Sequence, residues 1–349
     1  MRTSIVILNW NGAQMLRRFL PTVLSNTPKE TAEIIVADNG STDNSLEVLA
    51  SEFPEVRVIT LDKNYGFAEG YNQALHRVGD SYDYYLLLNS DVETPESWIQ
   101  PLVQYMDDHA DVAACQPKLR AEHTPSHFEY AGGAGGYIDY LGYPFCRGRV
   151  FDTVEPDLGQ YDDVADVFWA TGAALMIRAK VYWEVGGLDG RFFAHQEEID
   201  LCWRLRARGY RIVCVPHSVV YHVGGGTLPK ENPRKTFLNF RNNLLLLYKN
   251  LPEHSLRKTM FIRFWLDALA SFVFLAKGEV RSFLAVWQAR SAFRKMKKDF
   301  VADRVANLDA TVVDRIPGQL SSSLLLEYYL RRKKFFSELT FSDNLKDEK

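Results

Sequence analysis

The sequence predicts an α/β fold: a mostly parallel sheet covered by helices on both faces, with a helical extension at the C-terminus. Three observations carry this reading. Through the first hundred residues short β-branched runs alternate with amphipathic stretches, the pattern of βαβ units. The 349 residues are 46% hydrophobic and 24% charged, which excludes disordered, collagen-like and disulfide-scaffold chains. Beyond residue 230 the apolar spacing turns helical and the charge balance changes sign.

Ser4 to Leu8, Glu33 to Ala37, Val56 to Leu61 and Tyr84 to Leu88 read as buried strands, with amphipathic helices near 12–25, 43–52, 67–78 and 95–108. Strands that are apolar on both faces belong to a parallel sheet covered by helices, and ligands of such sheets bind beyond the carboxyl ends of the strands. Residues 118–165 break the rhythm with Gly132, Gly133, Gly135, Gly136, Pro125, Pro144 and several tyrosines. They are expected to form a long irregular insertion, and long loops in compact domains are often functional. Regular structure resumes with the apolar run Val167 to Ile177, a helix near 197–208, a strand Arg211 to Val215 and the segment Val219 to Gly226. One domain is therefore placed at 1–230 and a helical, basic region at 231–349.

That second region holds the helical runs Phe237 to Tyr248 and Met260 to Ala276. In the latter, Ile262, Trp265, Leu266, Leu269, Phe272, Val273 and Ala276 fall at helical spacing, while Arg263, Asp267 and Ser271 form a narrower polar line. Its longest uncharged stretch is the nine residues Ala268 to Ala276, against the ~20 needed to span a bilayer. The expectation is a helix that lies on a membrane, packs on the rest of the chain or joins a second copy, and does not cross a bilayer.

Residues 1–229 carry 18 basic and 31 acidic side chains, 230–300 carry 15 and 5, and 301–349 carry 8 of each. An acidic body joined to a basic segment, which includes Arg290, Arg294, Lys295, Lys297 and Lys298, suggests contact with an anionic surface. Cys115, Cys146, Cys202 and Cys214 form no C-x-x-C pair, so a zinc ribbon or disulfide framework is not indicated and a reducing compartment is the simplest reading. Four consecutive apolar residues, Ile5 to Leu8, are too few for a signal-peptide core. The expected location is the cytoplasm, including the cytoplasmic membrane face.

Several strand ends carry residues capable of chemistry. The first strand ends in Asn9-Trp10-Asn11-Gly12 and the second in Asp38-Asn39-Gly40-Ser41-Thr42-Asp43. Asp38 either accepts hydrogen bonds from a nucleobase or ribose or, with Asp43, caps the next helix. The segment Asn64 to Asn72 follows the third strand and opens a helix, offering backbone N–H groups to a phosphate or forming a plain turn. The fourth strand delivers Asn89-Ser90-Asp91, where Asp91 is either a turn residue or an oxygen ligand suited to Mg2+ or Mn2+. Glu197, Glu198 and Asp200 open a later helix, where acids also favour the positive N-terminus. Asp200 and Arg204, four residues apart, can be a helix pair. The P-loop and dinucleotide-binding glycine patterns are absent, so ATPase and dehydrogenase readings fall.

Taken together these residues resemble the inverting glycosyltransferase family 2, nucleotide-sugar transferases with a Rossmann-like GT-A fold. The order matches: Asp38 after the second strand, the Gly-Phe-Ala-x-Gly-x-Asn turn at 66–72, and Asn89-Ser90-Asp91 where the family carries Asp-x-Asp. The Asn-x-Asn-Gly start and Arg241-Asn242-Asn243 are similar to bacterial rhamnosyltransferase-like members, and the resemblance covers about residues 3–250. It implies donor contacts from Asn9, Asp38, Asn64, Gly66, Phe67, Asn72, Asn89 and Asp91. It also implies a divalent metal held by Asp91 and by a late histidine, His222, with His217 after Pro216 as the competing, structural candidate. Asn89 departs from the aspartate of many relatives and leaves Asp91 as the main acidic ligand.

Glu197-Glu198 stands where the family has its Glu-Asp motif, which makes Glu198 the base that takes the proton of the acceptor hydroxyl. Trp169, Gly172, Glu197, Asp200 and Arg204 fall on the acceptor side, Trp169 either stacking on a sugar or filling the core. The expected protein moves a sugar from a nucleoside diphosphate to a glycan or lipid-linked acceptor in bacterial surface-polysaccharide synthesis. A sugar-phosphate nucleotidyltransferase would need a Gly-rich basic loop that Asn9 to Gly12 does not supply. A binding subunit without catalysis would not need both Asp91 and Glu198. The expected partners are the donor, the acceptor, and a membrane surface or a second copy; nucleic acid is not among them.

Overall fold

A computed structural model of the chain describes residues 2–224 and 232–341. The first half runs β1 (Thr3–Asn9), α1 (Ala13–Asn26), β2 (Ala32–Asp38), α2 (Ser45–Glu52), β3 (Arg57–Thr60), α3 (Gly66–Val78) and β4 (Tyr84–Asn89). The four strands are parallel in the order β3-β2-β1-β4. Ile5, Val6, Val36, Leu86 and Leu87 have no exposed surface, and each such burial contributes roughly 1.5–3 kcal/mol. The register pairs Asn9 with Asp38 and Leu8 with Asn89, so three polar side chains share one rim of the sheet.

The middle of the chain adds β5 (Val92–Glu93), α4 (Gln100–Asp108), β6 (Val112–Ala121), β7 (Thr124–Phe128), β8 (Gly136–Asp139), β9 (Pro144–Cys146), β10 (Arg149–Val150), β11 (Thr153–Val154), β12 (Ala165–Asp166), β13 (Ala174–Arg178), α5 (Ala179–Glu184), α6 (Glu197–Ala207) and β14 (Arg211–His222). The main sheet continues β4-β13-β6-β14-β12, with β13 antiparallel to both its neighbours and β14 parallel to β6. The sheet is thus parallel in its first half and mixed in its second, because β13 enters from the insertion and not from a βαβ crossover. The strand expected at 211–215 and the segment from 219 form one strand. Its register shifts between Val215 and Val219, around Pro216, which has no N–H to donate. Gly225 and Gly226 at the end of that expected segment lie outside the described residues.

The insertion is more regular than its composition suggests. Strands β8 to β11 form a small antiparallel meander, a second sheet of order β11-β10-β9-β8-β15. Strands of two to four residues separated by glycine turns are too short to show a period. The last strand of that sheet comes from the C-terminal region, which contains α7 (Pro233–Asn250), α8 (Glu253–Ala276), α9 (Val280–Met296), α10 (Val301–Asp309) and β15 (Gln319–Leu320). β15 pairs in parallel with β8. Leu244 to Leu247 on α7 are fully buried in the same core cluster as Trp203 of α6. All four cysteines are buried and free.

Candidate active site

Asp91 follows β4, and β5 beside it pairs with the end of β14, His222 opposite Val92. This places His222 Nε2 3.1 Å from Asp91 Oδ1 and 3.4 Å from Asn89 Nδ2. Glu129, from the insertion, lies on the far side of the ring with Oε1 3.4 Å from Nδ1. Burial pushes the imidazole pKa down, but Asp91 and Glu129 outweigh it and carry it to about 10. Burial likewise opposes the Asp91 carboxylate, and the bond to His222 holds it below its ordinary value.

A ring nitrogen and a carboxylate oxygen 3.1 Å apart need either the ring N–H or a cation between them. An imidazole and a carboxylate directed at one point, with a second carboxylate behind the imidazole, is a donor set that fits a divalent metal. Among the described residues no group of three His, Cys, Asp or Glu side chains converges as ligands. The residues that would hold a divalent cation at this corner are Asp91 and His222. His217 is exposed at the irregular part of β14.

The donor-side turns are tightly tied. Asn9 Nδ2 donates to Asp38 Oδ2 at 3.1 Å, and the Ser41 N–H donates to Asp38 Oδ1 at 2.9 Å. Asp38 has no exposed surface, while Asn9 Oδ1 is buried without a partner. Asp43 accepts from the N–H groups of Ala13 and Ser45, so it is the turn clamp that capping chemistry predicts. Asn39, absent from the sequence-based candidates, joins the second turn to the third: its amide accepts from Tyr65 N–H and donates to Gly66 O at 2.9 Å.

The α3 N-terminus corrects one expectation. The N–H groups of Phe67 and Ala68 both point at Phe193 O, at 2.7 and 3.3 Å, and Asn64 Oδ1 accepts from Gly66 N–H. These donors bind the catalytic loop and are not free for phosphate. Asn72 is also committed, donating to Leu188 O at 2.7 Å and accepting from the Tyr182 hydroxyl at 2.6 Å. It anchors the approach to that loop and does not line the donor crevice.

The loop itself precedes α6. Phe193, His195 and Gln196 have φ of 67°, 71° and 73°, left-handed values that cost of order 1 kcal/mol each and persist only when the surroundings enforce them. Asn242 supplies that enforcement, its amide shared by the carbonyls of Phe192, Ala194 and His195 at 3.0, 2.8 and 2.7 Å, and Arg241 adds a bond to Phe192 O. The result presents Glu197, buried, and Glu198, half-buried, each with one oxygen that has no hydrogen-bond partner. Burial pushes Glu198 up to about 7. Burial first and the charge of Glu198 second push Glu197 well above the carboxylate range. Both carboxyls of the pair therefore hold their protons more tightly than an exposed glutamate does.

Gly172 connects this pair to the metal corner. A Cβ at Gly172 would stand 3.1 Å from Phe67 and 3.8 Å from Glu198 Cβ. The next residue, Ala173, accepts a hydrogen bond from Asn89 N–H at 2.9 Å. Phe67, Gly172 and Glu198 therefore lie side by side, and Gly172 is one residue from the backbone bond between Ala173 and Asn89.

Three acceptor-side expectations are corrected. Trp169 is 3% exposed, its indole N–H donates to Tyr137 O at 2.9 Å, and its ring packs so closely on Gly136 that a Cβ there would lie 2.1 Å away. It is core and cannot stack on a sugar. Asp200 is fully buried and accepts from Arg204 at 2.9 Å, Lys249 at 2.8 Å and Asn250 at 2.9 Å, while Arg204 also binds the carbonyls of Val185 and Gly187. Asp200 and Arg204 are thus a closed ion-pair network under α6.

A large sheet, parallel in its first half and mixed in its second, with helices on its faces and further helices at the C-terminus, is the architecture of the GT-A class. Residues 4–137 match the model of Glycosyl transferase family 2, and the chain is a glycosyltransferase carrying that family's domain. It is 26% identical over 236 residues to the N-acetylglucosaminyl-diphospho-decaprenol L-rhamnosyltransferase of Mycobacterium tuberculosis, covering 62% of this chain and 75% of that protein. It is 26% identical over 225 residues to the O-antigen biosynthesis protein RfbC of Myxococcus xanthus, covering 63% of this chain and 17% of that much longer protein. Among solved structures, GalNAc-T7 with UDP, GalNAc and Mn2+ superposes with a TM-score of 0.57 at 18% identity, over 71% of this chain and 48% of that one. That likeness shows the shared fold, and the chain spans about half the length of that transferase.

Proposed function

We propose that the protein transfers a sugar, with inversion, from a nucleoside diphosphate to a hydroxyl of a lipid-linked glycan during bacterial surface-polysaccharide synthesis. The observation that carries this is the Glu198 carboxyl, whose side chain lies against Gly172, while the next residue, Ala173, bonds the backbone of Asn89 beside the Asp91 and His222 corner. In the reaction Glu198 removes the proton of the acceptor hydroxyl as its oxygen bonds to the anomeric carbon. The bond from that carbon to the diphosphate oxygen breaks on the opposite face. Asp38, buried and fixed by Asn9 and Ser41 at the end of β2, shapes the turn that borders the nucleoside. Asp91 and His222 would hold Mn2+ or Mg2+, which would offset the charge gathered on the departing diphosphate. A lipid-linked acceptor is supported by the printed name of the mycobacterial relative.

The test incubates the protein with a panel of nucleotide sugars, Mn2+ and polyprenyl-diphosphate-linked acceptors, and reads the product by mass and anomeric configuration. Transfer with configuration opposite to the donor supports the reading. Release of inorganic pyrophosphate from a nucleoside triphosphate and a sugar phosphate would instead establish a nucleotidyltransferase.

A further inference from the structure

α8 presents its faces the opposite way round from a helix of a water-exposed bundle. Its polar line, Arg263, Asp267 and Ser271, is buried, while Phe261, Trp265, Leu269 and Phe272 are 67%, 61%, 62% and 57% exposed. The inner line is satisfied: Arg263 donates to Asp267 Oδ1 at 3.2 Å, to Leu141 O at 2.8 Å and to Asn243, and Arg290 of α9 pairs with the other oxygen of Asp267. The apolar face continues over Val280 and Leu284 at the start of α9. An apolar surface of this extent on one side of a chain is an interaction site.

We propose that this face seats on an anionic lipid surface, with α8 lying in the plane of the interface. The charge around the stripe selects this occupant. Exposed cations stand at both its ends, Arg257 and Lys258 before Phe261, and Lys277 and Arg281 after Phe272. The acid at the start, Glu253, is paired with Arg257 and Arg304 at 3.1 Å each, Asp267 points inward, and Glu279, half-buried between Lys277 and Arg281, leaves that end net positive. A two-fold contact between copies through this helix would bring cations against cations whether the helices ran parallel or antiparallel. Anionic headgroups complement both ends while acyl chains take the aromatic and aliphatic middle. By length and composition α8 could cross a bilayer, yet its polar line is bonded to Asn243, Leu141 and Arg290, which keeps one side of the helix on protein.

The same bonds fix the docked face relative to the catalytic loop. Asn243 accepts from Arg263 and donates to Gln196 Oε1 at 3.0 Å, directly before Glu197. The inference itself rests on the surface and not on the identity of the reaction.

Flotation of the full-length protein with vesicles containing about one third phosphatidylglycerol, against pure phosphatidylcholine, tests it without any sugar donor. The expected result is binding to the anionic vesicles that weakens at high salt. Trp265→Ser, Leu269→Ser and Phe272→Ser together should lower it at least about tenfold with the melting temperature retained. Lys258→Glu, Lys277→Glu and Arg281→Glu, which leave the apolar face whole, should reduce binding to anionic vesicles by a similar factor. Absence of flotation, or binding unchanged by the cation reversals, overturns the proposal. So does a stable dimer in light scattering that the triple serine variant dissociates.

Discussion

Glu197 and Glu198 are neighbours in sequence and both hold their protons tightly, which makes the pair testable. A base must be ionised, so kcat/KM for transfer should rise with pH and reach half its plateau at about 7, measured as a pH–rate profile. Stability runs the other way. Both carboxyls hold their protons more tightly folded than at the unfolded value of 4.5, so the folded state carries no penalty below 4.5 and loses stability as pH rises through about 7. Glu197→Gln should therefore raise stability by on the order of 1 kcal/mol near pH 8 and by nothing at about pH 4, read by scanning calorimetry. At the metal corner, Asp91→Ala should abolish Mn2+-dependent nucleotide binding and His222→Ala should weaken it. Glu129→Gln, which only orients the imidazole, should cost about 10-fold or more in calorimetric Mn2+ affinity. The places of Asp38, Asp91 and Glu198 at two strand ends and a helix start were legible because apolar runs and an acid cluster mark those boundaries. Glu129 was not, because it sits in a glycine-rich stretch without period and meets His222 only through the folded insertion.

At the scale of elements, the sequence reads well where one rule decides and poorly where two compete. β1, β2 and β4 are continuous apolar runs covered on both faces, so composition alone locates them within a residue or two. α6 begins where the acid cluster predicts, but a helical pattern cannot say whether Asp200 and Arg204 face water or core. Lys249, far along the chain on α7, closes their network by pairing with both Asp200 and Asp189 at 2.8 Å. Burial opposes the Asp200 charge, and Lys249 and Arg204 overcome it to hold its pKa low. Lys249→Met leaves two buried carboxylates short of a cation and should destabilise the protein by about 3–5 kcal/mol in urea unfolding. The α3 turn shows the same limit: its N–H groups looked like a phosphate cradle, and a carbonyl from residue 193 occupies them.

For the whole molecule, the catalytic constellation is assembled across most of the chain. The donor corner comes from strand ends of the main sheet, the histidine's orienting carboxylate from the insertion, and the brace of the base loop from Asn242 on α7. The helical extension was visible in the sequence, including the polar line of α8, but periodicity does not show which face turns inward. Arg263 and Asp267 turn inward because Asn243, Leu141 and Arg290 satisfy them there, which leaves the aromatic face outside. The central claim is that one carboxylate, Glu198, activates the acceptor at this assembled site. Its most direct test compares sugar transfer and donor affinity in the wild-type protein and Glu198→Gln. The account predicts that transfer falls by about two to four orders of magnitude while donor affinity stays nearly unchanged. Turnover close to wild type in Glu198→Gln would contradict it and move the base elsewhere.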